Sequence, residues 1–283
     1  MANNEKFSIP DIKLNNGEPI PQVGLGLWQV QNEQECKDAI QYALEVGYRH
    51  FDSAQIYENE AFLGDVLSGA YNSGQNISRE DIFITTKLWN ENQSSDLAMS
   101  SFEKSLVNLQ TEYVDLFLVH FPVTETREQA WKTLETIYNN GQAKAIGVSN
   151  YTVTHLEELL KNTDIIPAVN QVEIHAFLQQ KELRAYCDEK GIIVEAYSPI
   201  AHGEGLDTKE LIEIGQQYSK TSAQVMLKWC AQNNMVVLPK SVTPSRISEN
   251  ADIFDFELSS DDLEIIDSLE KDFRTCWDPS DVK

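Results

Sequence analysis

The run GYRHFDSAQIYENE, residues 47 to 60, decides the fold. Gly47 follows a stretch with helical spacing, Glu33 to Glu45, and stands where a left-handed C-cap belongs. A strand-like run around Phe51 comes next, ends in Asp52, and passes into a polar loop that carries Tyr57. The same order recurs along the chain. Strand-like runs lie near Val23, Phe51, Ile84, Phe117, Ile146, Val172, Val194 and Val237. Between them are helix-spaced stretches such as Ser94 to Leu109, Arg127 to Asn139 and Thr221 to Gln232, with Gly141 and Gly191 repeating the position of Gly47. Eight strands, mostly apolar on both faces and separated by helices, predict an all-parallel sheet.

A doubly wound open sheet and a closed barrel both accommodate eight such units. The strand ends separate them. Asp52, Lys87, His120, Ser149 with Asn150, Gln171, Tyr197 and Lys240 all stand at C-terminal ends of strands. A closed barrel gathers those ends on one rim, whereas an open sheet converges only those near its switch point. The expectation is therefore an α/β protein, a (β/α)8 TIM barrel spanning residues 1–283 as one domain, with its site on the C-terminal rim. In IKLNNGEPI, Asn16-Gly17 predicts an N-terminal β-hairpin with a tight two-residue turn, closing the bottom of the barrel.

With 283 residues, 41% of them hydrophobic, the chain can bury a large core unaided by disulfides or metal. Cys36, Cys187, Cys230 and Cys276 are scattered and predict free thiols, and the five histidines form no paired ligand motif, so no metal site is expected. No apolar run is long enough to span a membrane, and MANNEKFSIPDIKL is too polar for a signal peptide. A cytoplasmic monomer is the expectation. A net charge of -23 argues against nucleic acid and anionic membranes as partners. It also requires any phosphorylated cofactor to be met by locally concentrated positive charge.

Three segments carry candidate chemistry. GLGLW, Gly24 to Trp28, lacks the third glycine and the following helix of a dinucleotide fingerprint, and reads as a tight backbone position on the first strand. Asp52, Tyr57, Lys87 and His120 lie on or just after adjacent strand ends. There Asp52 would hold the Lys87 ammonium, and the ammonium would lower the pKa of the Tyr57 phenol so that it donates a proton near neutrality. His120 would donate a second hydrogen bond to a carbonyl oxygen. In LPKSVTPSRISEN, Thr243 and Pro244 signal a helix start, and Lys240, Ser241, Thr243 and Arg246 gather at that start, where phosphate binds.

Taken together, GYRHFDSAQIYENE, TTKLW, LVHFP, GVSN, NQVEIH, AYSP and LPKSVTPSRISEN resemble the aldo-keto reductase family over nearly the full chain, most closely its compact bacterial members acting on keto-sugars and small α-dicarbonyls. The resemblance implies direct hydride transfer from NADPH to a small-molecule carbonyl substrate without metal. It implies a catalytic tetrad of Asp52, Tyr57, Lys87 and His120. Ser149, Asn150 and Gln171 would hold the nicotinamide carboxamide, with Tyr197 stacked on the ring. Lys240, Ser241, Thr243 and Arg246 would meet the 2′-phosphate, with Glu249 and Asn250 near the adenine, and Trp28, Trp89 and Phe121 would line the substrate pocket. Departures are Ser53 and Ala176, an Ala-His pair in the loop Ser198 to Leu206, and a short tail, RTCWDPSDVK, expected to leave the pocket open. Two other readings exist. A cofactor-binding subunit or sensor without turnover would be favoured by loss of a tetrad member, and all four are present. A metal-dependent barrel hydrolase would need clustered His and carboxylate ligands, and the rim offers one His.

Overall fold

The computed structural model describes residues 7–74 and 76–283, so the polar opening residues 1–6 lie outside the described residues. Strands β1 (Asp11–Lys13) and β2 (Pro19–Pro21) form an antiparallel hairpin, with Ile12 opposite Ile20. The barrel follows as β3 (Leu25–Gly26), α1 (Glu33–Val46), β4 (His50–Asp52), α2 (Glu60–Asn72), β5 (Phe83–Leu88) and α3 (Ser95–Leu109). It continues with β6 (Val114–Val119), α4 (Arg127–Asn139), β7 (Ala143–Ser149), α5 (Val153–Lys161), β8 (Val169–Glu173), α6 (Lys181–Lys190) and β9 (Ile193–Tyr197). Two helices, α7 (Lys209–Tyr218) and α8 (Ser222–Gln232), precede β10 (Val236–Leu238), and α9 (Pro244–Ala251) and α10 (Ser260–Asp267) end the helical ring.

Strands β3 to β10 pair in sequential order, every pair parallel. Parallel bridges Val23–Val237 and Gly26–Lys240 join the first strand region to the last, so the sheet closes on itself. This seam explains the GxG. A Cβ on Gly24 would stand 2.7 Å from both His50 Nδ1 and Leu238 Cδ2, inside any normal contact. The glycines admit close packing at the seam and form no cofactor loop. Gly47 takes φ +113 and its N–H bonds the Ala43 carbonyl, ending α1 where the sequence predicts.

The strands are buried on both faces because they separate two cores. One lies between strands and helices, and includes Phe51, Phe117, Trp131, Ile146 and Trp229. The other fills the lower barrel, where Ile12, Leu14 and Ile20 of the hairpin pack with Phe83, Leu116, Leu118, Val169 and Val236. The hairpin thus plugs the bottom. Its turn differs from the expectation. Leu14 N–H bonds the Glu18 carbonyl and Gly17 N–H the Leu14 carbonyl, so the loop comprises Asn15, Asn16 and Gly17. Only Gly17 takes positive φ (+96), while a two-residue type I′ turn needs it at both central positions. The asparagines instead clamp the hairpin to the barrel, Asn15 Nδ2 to the Pro167 carbonyl (3.0 Å) and Asn16 Nδ2 to that of Lys144 (2.8 Å).

Candidate active site

Closure brings the strand ends into one mouth. Lys87, at the end of β5, is fully buried, and its three ammonium hydrogens meet three acceptors. They are Asp52 Oδ1 at 2.6 Å, the Ser53 carbonyl at 2.9 Å and the Tyr57 hydroxyl oxygen at 3.3 Å. Because Lys87 donates to the phenol oxygen, the phenol hydrogen remains free to point elsewhere. Tyr57 closes a short 3-10 turn, Gln55–Tyr57, that begins three residues beyond β4. Asn59 pins the chain here, accepting from Ser53 Oγ (2.7 Å) and donating to the carbonyls of Leu27 (2.9 Å) and Val30 (3.1 Å). His120 follows β6, its ring edge-on to Tyr57 (5.8 Å) and Trp89 (5.2 Å). Its buried Nδ1 has no hydrogen-bond partner among the described residues.

Electrostatics departs from the sequence reading at one point. Burial raises the Tyr57 phenol well above its ordinary value, with Asp52 adding to the rise, where a lowering by Lys87 was expected. The reason is local neutrality: Asp52, 2.6 Å from the ammonium, cancels its field at the phenol and leaves desolvation in command. Burial, with the Lys87 charge second, holds the His120 imidazole well below its ordinary value, so the ring is neutral.

The other predicted residues fall into two groups. Ser149 Oγ donates to the Gln171 carbonyl (2.8 Å), and Asn150 Nδ2 donates to the His120 carbonyl (2.9 Å) and to Ser149 Oγ (3.1 Å). The Tyr197 hydroxyl donates to Asn150 Oδ1 (2.7 Å). Gln171 turns inward, its Nε2 donating to Asp52 Oδ2 at 2.8 Å and to Glu195 Oε2 at 2.6 Å. Its Oε1 is left as an acceptor. Lys240, Thr243 and Arg246 are exposed around the start of α9, where Thr243 is the N-cap and Pro244 stands in the first turn. Neither cation forms an ion pair among the described residues. Ser241 Oγ accepts from the Thr243 N–H (3.1 Å), Asn250 is buried, and Glu249 Oε1 accepts from Thr221 Oγ1 (2.6 Å).

Trp28, Trp89 and Phe121 lie around the tetrad, all partly exposed, but the mouth is not clear of the tail. The tail crosses it. Trp277 packs its ring 5.8 Å from Trp28, 5.8 Å from Trp89, 5.9 Å from His120 and 6.3 Å from Phe121. Buried Glu173 anchors the strap, accepting from the Thr275 N–H (2.7 Å), the Thr275 hydroxyl (2.6 Å) and the Cys276 N–H (3.0 Å). Further on, the His155 ring meets the Val282 carbonyl (2.9 Å). The Ala-His pair joins in, with His202 Nε2 3.2 Å from Cys276 Sγ and 3.0 Å from Ser198 Oγ. Trp277 and Glu173 were not among the sequence candidates. A tryptophan within a charged terminal segment, and an acid on an apolar strand, were the available signals.

Fold and site define a class, the (β/α)8-barrel proteins with a buried polar cluster at the C-terminal mouth. The chain belongs to the Aldo/keto reductase family, whose model matches residues 22–271. It is 46% identical over 271 residues to the glyoxal reductase of Bacillus subtilis, covering 96% of each chain. It is 42% identical to the methylglyoxal reductase DkgA of Escherichia coli K12, over 95% of this chain and 96% of that one. An aldo/keto reductase structure from Brucella melitensis superposes with a TM-score of 0.88 at 40% identity, over 93% of this chain and 100% of that one. A silkworm (Bombyx mori) aldo-keto reductase crystallised with NADPH gives 0.92 at 35% identity, over 96% of this chain and 91% of that one.

Proposed function

We propose that the protein reduces small aldehydes and ketones, α-dicarbonyls foremost, with NADPH, and that Tyr57 donates the proton. The carrying observation is the Lys87 ammonium bound at once to Asp52 and to the Tyr57 oxygen. That contact directs the phenol hydrogen away from Lys87. Glyoxal and methylglyoxal reductases among the relatives support the substrate class.

The residues fit the cofactor. Gln171 Oε1 can accept from a carboxamide, the buried His120 nitrogen lacks a protein partner, and Lys240 and Arg246 flank the open start of α9. When bound, the reduced nicotinamide supplies the hydride that the carbonyl carbon accepts. The carbonyl oxygen then lies between Tyr57 and His120. Neutral His120 donates a hydrogen bond that orients the oxygen and stabilises its growing charge. Tyr57 passes its proton to the developing alkoxide, and the Lys87 hydrogen bond stabilises the phenolate left behind. The raised phenol pKa keeps Tyr57 protonated, and the Lys87 hydrogen bond supplies the phenolate stabilisation that the transfer then needs.

The test is NADPH absorbance against glyoxal, methylglyoxal, a keto-sugar, an aromatic aldehyde and a keto-ester. Carbonyl-dependent oxidation, greatest with the α-dicarbonyls, is expected. Cofactor binding with no oxidation by any carbonyl would overturn the reading and leave a binding subunit.

A further inference from the structure

Beneath the tetrad the barrel axis holds a second polar layer that the mechanism above does not use. Its members are His50 on β4, Thr85 on β5 and Glu195 on β9, all with no exposed surface. Gln171 links the two layers, with one amide hydrogen on Asp52 and the other on Glu195. Two carboxyl acceptors fix the orientation of that amide, because the reverse would set its carbonyl against the Asp52 charge.

The proton inventory of the lower layer follows from its contacts. His50 Nδ1 lies 3.3 Å from the Pro21 carbonyl, which can only accept, so Nδ1 carries the hydrogen. Burial lowers the ring to about 3, so it is neutral and Nε2 is an acceptor. Thr85 Oγ1 lies 3.1 Å from Nε2 and donates to it. Glu195 Oε1 lies 3.7 Å from the same nitrogen and has no hydrogen-bond partner among the described residues.

An ionised Glu195 would leave that oxygen's charge unmatched. Asp52 and Lys87 already neutralise each other, so a second carboxylate adds one uncompensated charge to a dry interior. The groups around Glu195 are His50 and Asp52 from β4, Lys87 from β5 and Gln171 from β8, with Thr85 behind His50, while β10 sets Val236 beside it in register. Of these the Gln171 hydrogen bond to Oε2 and, more weakly, Lys87 favour ionisation, and Asp52 holds Lys87. Burial, with Asp52 second, accordingly raises the Glu195 carboxyl to about 8.

We propose that Glu195 is a positioning residue for the reduction, held as a neutral carboxylic acid that orients the Gln171 amide and through it Asp52. Its ionisation places a negative charge beneath the tetrad and weakens Tyr57 as a donor. This rests on the assignment of Tyr57 as proton donor. The direction is fixed by sign: a nearby negative charge opposes phenolate formation, and Glu195 is among the groups that raise the Tyr57 pKa.

Two measurements test it. Infrared difference spectra of protein carrying carboxyl-labelled glutamate should show a protonated buried carboxylic acid at neutral pH. The band should fade as pH rises through about 8 and be absent from Glu195→Gln. This needs neither cofactor nor activity, and the wild-type spectrum alone decides it if the variant does not fold. Single-turnover reduction rates should fall about three- to tenfold through the same pH range in wild type. Glu195→Gln should keep the neutral-pH rate and lose that inflection, which lies below any titration of the raised Tyr57 phenol. An ionised Glu195 at neutral pH, or a variant with an unchanged inflection, overturns the proposal. Tyr57→Phe is run in parallel: if it keeps its rate, the donor assignment fails, and the infrared band still reports on Glu195.

Discussion

Lys87 organises the site, because a buried ammonium must spend all three hydrogens, and here they fix Asp52, the loop at Ser53 and the Tyr57 oxygen together. Tyr57→Phe deletes the phenol hydrogen and leaves the ring contacts with Trp28 and His120. It should lower kcat more than tenfold while NADPH affinity, measured by fluorescence titration, stays near wild type. A loss smaller than that would assign the proton to another group, His120 first. His120→Asn keeps a donor and should retain more activity than His120→Ala, since a neutral ring beside the carbonyl acts through geometry. Equal losses in the two variants would mark the residue as structural. Lys87→Met should be as severe as Tyr57→Phe, and it should also cost about 3–5 kcal/mol of stability because Asp52 is left buried and unpaired. Urea unfolding separates that cost from the loss of rate.

Among the elements, the tail and the start of α9 carry consequences that no single side chain does. Burial pushes the Glu173 carboxyl up, but its hydrogen bonds to His175, Thr275 and the Cys276 backbone outweigh this and hold it below the ordinary 4.5. The stabilisation is therefore fully present above pH 4.5 and is lost as pH falls through the lower folded value. Acid should release the strap before the barrel unfolds, read as increased exposure of Trp277 by fluorescence quenching. Glu173→Gln should show a loosened strap already at neutral pH. At α9, Arg246 can clamp a 2′-phosphate with two parallel hydrogen bonds and Lys240 adds a point charge. Arg246→Ala should weaken NADPH binding about tenfold or more and leave NADH binding nearly unchanged. Equal weakening of both would place the phosphate elsewhere.

Across the whole molecule, a net charge of -23 sets an unfavourable field for a phosphorylated cofactor, and on the proposed reading the exposed cations Lys240 and Arg246 offset it locally. Preference for NADPH over NADH should shrink as salt rises, since exposed charges are screened beyond about 8 Å at physiological ionic strength. A preference independent of salt would point to a buried phosphate site. The hairpin plug is a separate unit of stability. Ile20→Ala should cost about 2–5 kcal/mol in urea unfolding and leave the rate of reduction intact, because the cavity opens at the far end of the barrel from the tetrad.

The sequence by itself determined the barrel and the gathering of Asp52, Tyr57, Lys87 and His120 at one mouth. Strands such as Phe83–Leu88 and Val114–Val119 are buried at every position, and a two-sided apolar run with a reactive residue at its end is readable without coordinates. The tight backbone at Gly24 was legible too, as a glycine pair that fits no cofactor loop, but only the closed sheet shows that it is the seam with the last strand. Only the tertiary structure decided where charge and closure fall. Glu195 reads as one polar residue on an apolar strand, and only barrel closure sets it beneath Asp52 across Gln171. The Tyr57 pKa rises because burial and pairing act together, and sequence spacing reports neither. The tail reads as too short to reach the mouth, yet Glu173, some hundred positions earlier, holds it beside Trp28 and Trp89. Local propensity and patterning are written along the chain, whereas desolvation and long-range hydrogen bonding exist only once distant segments are packed together.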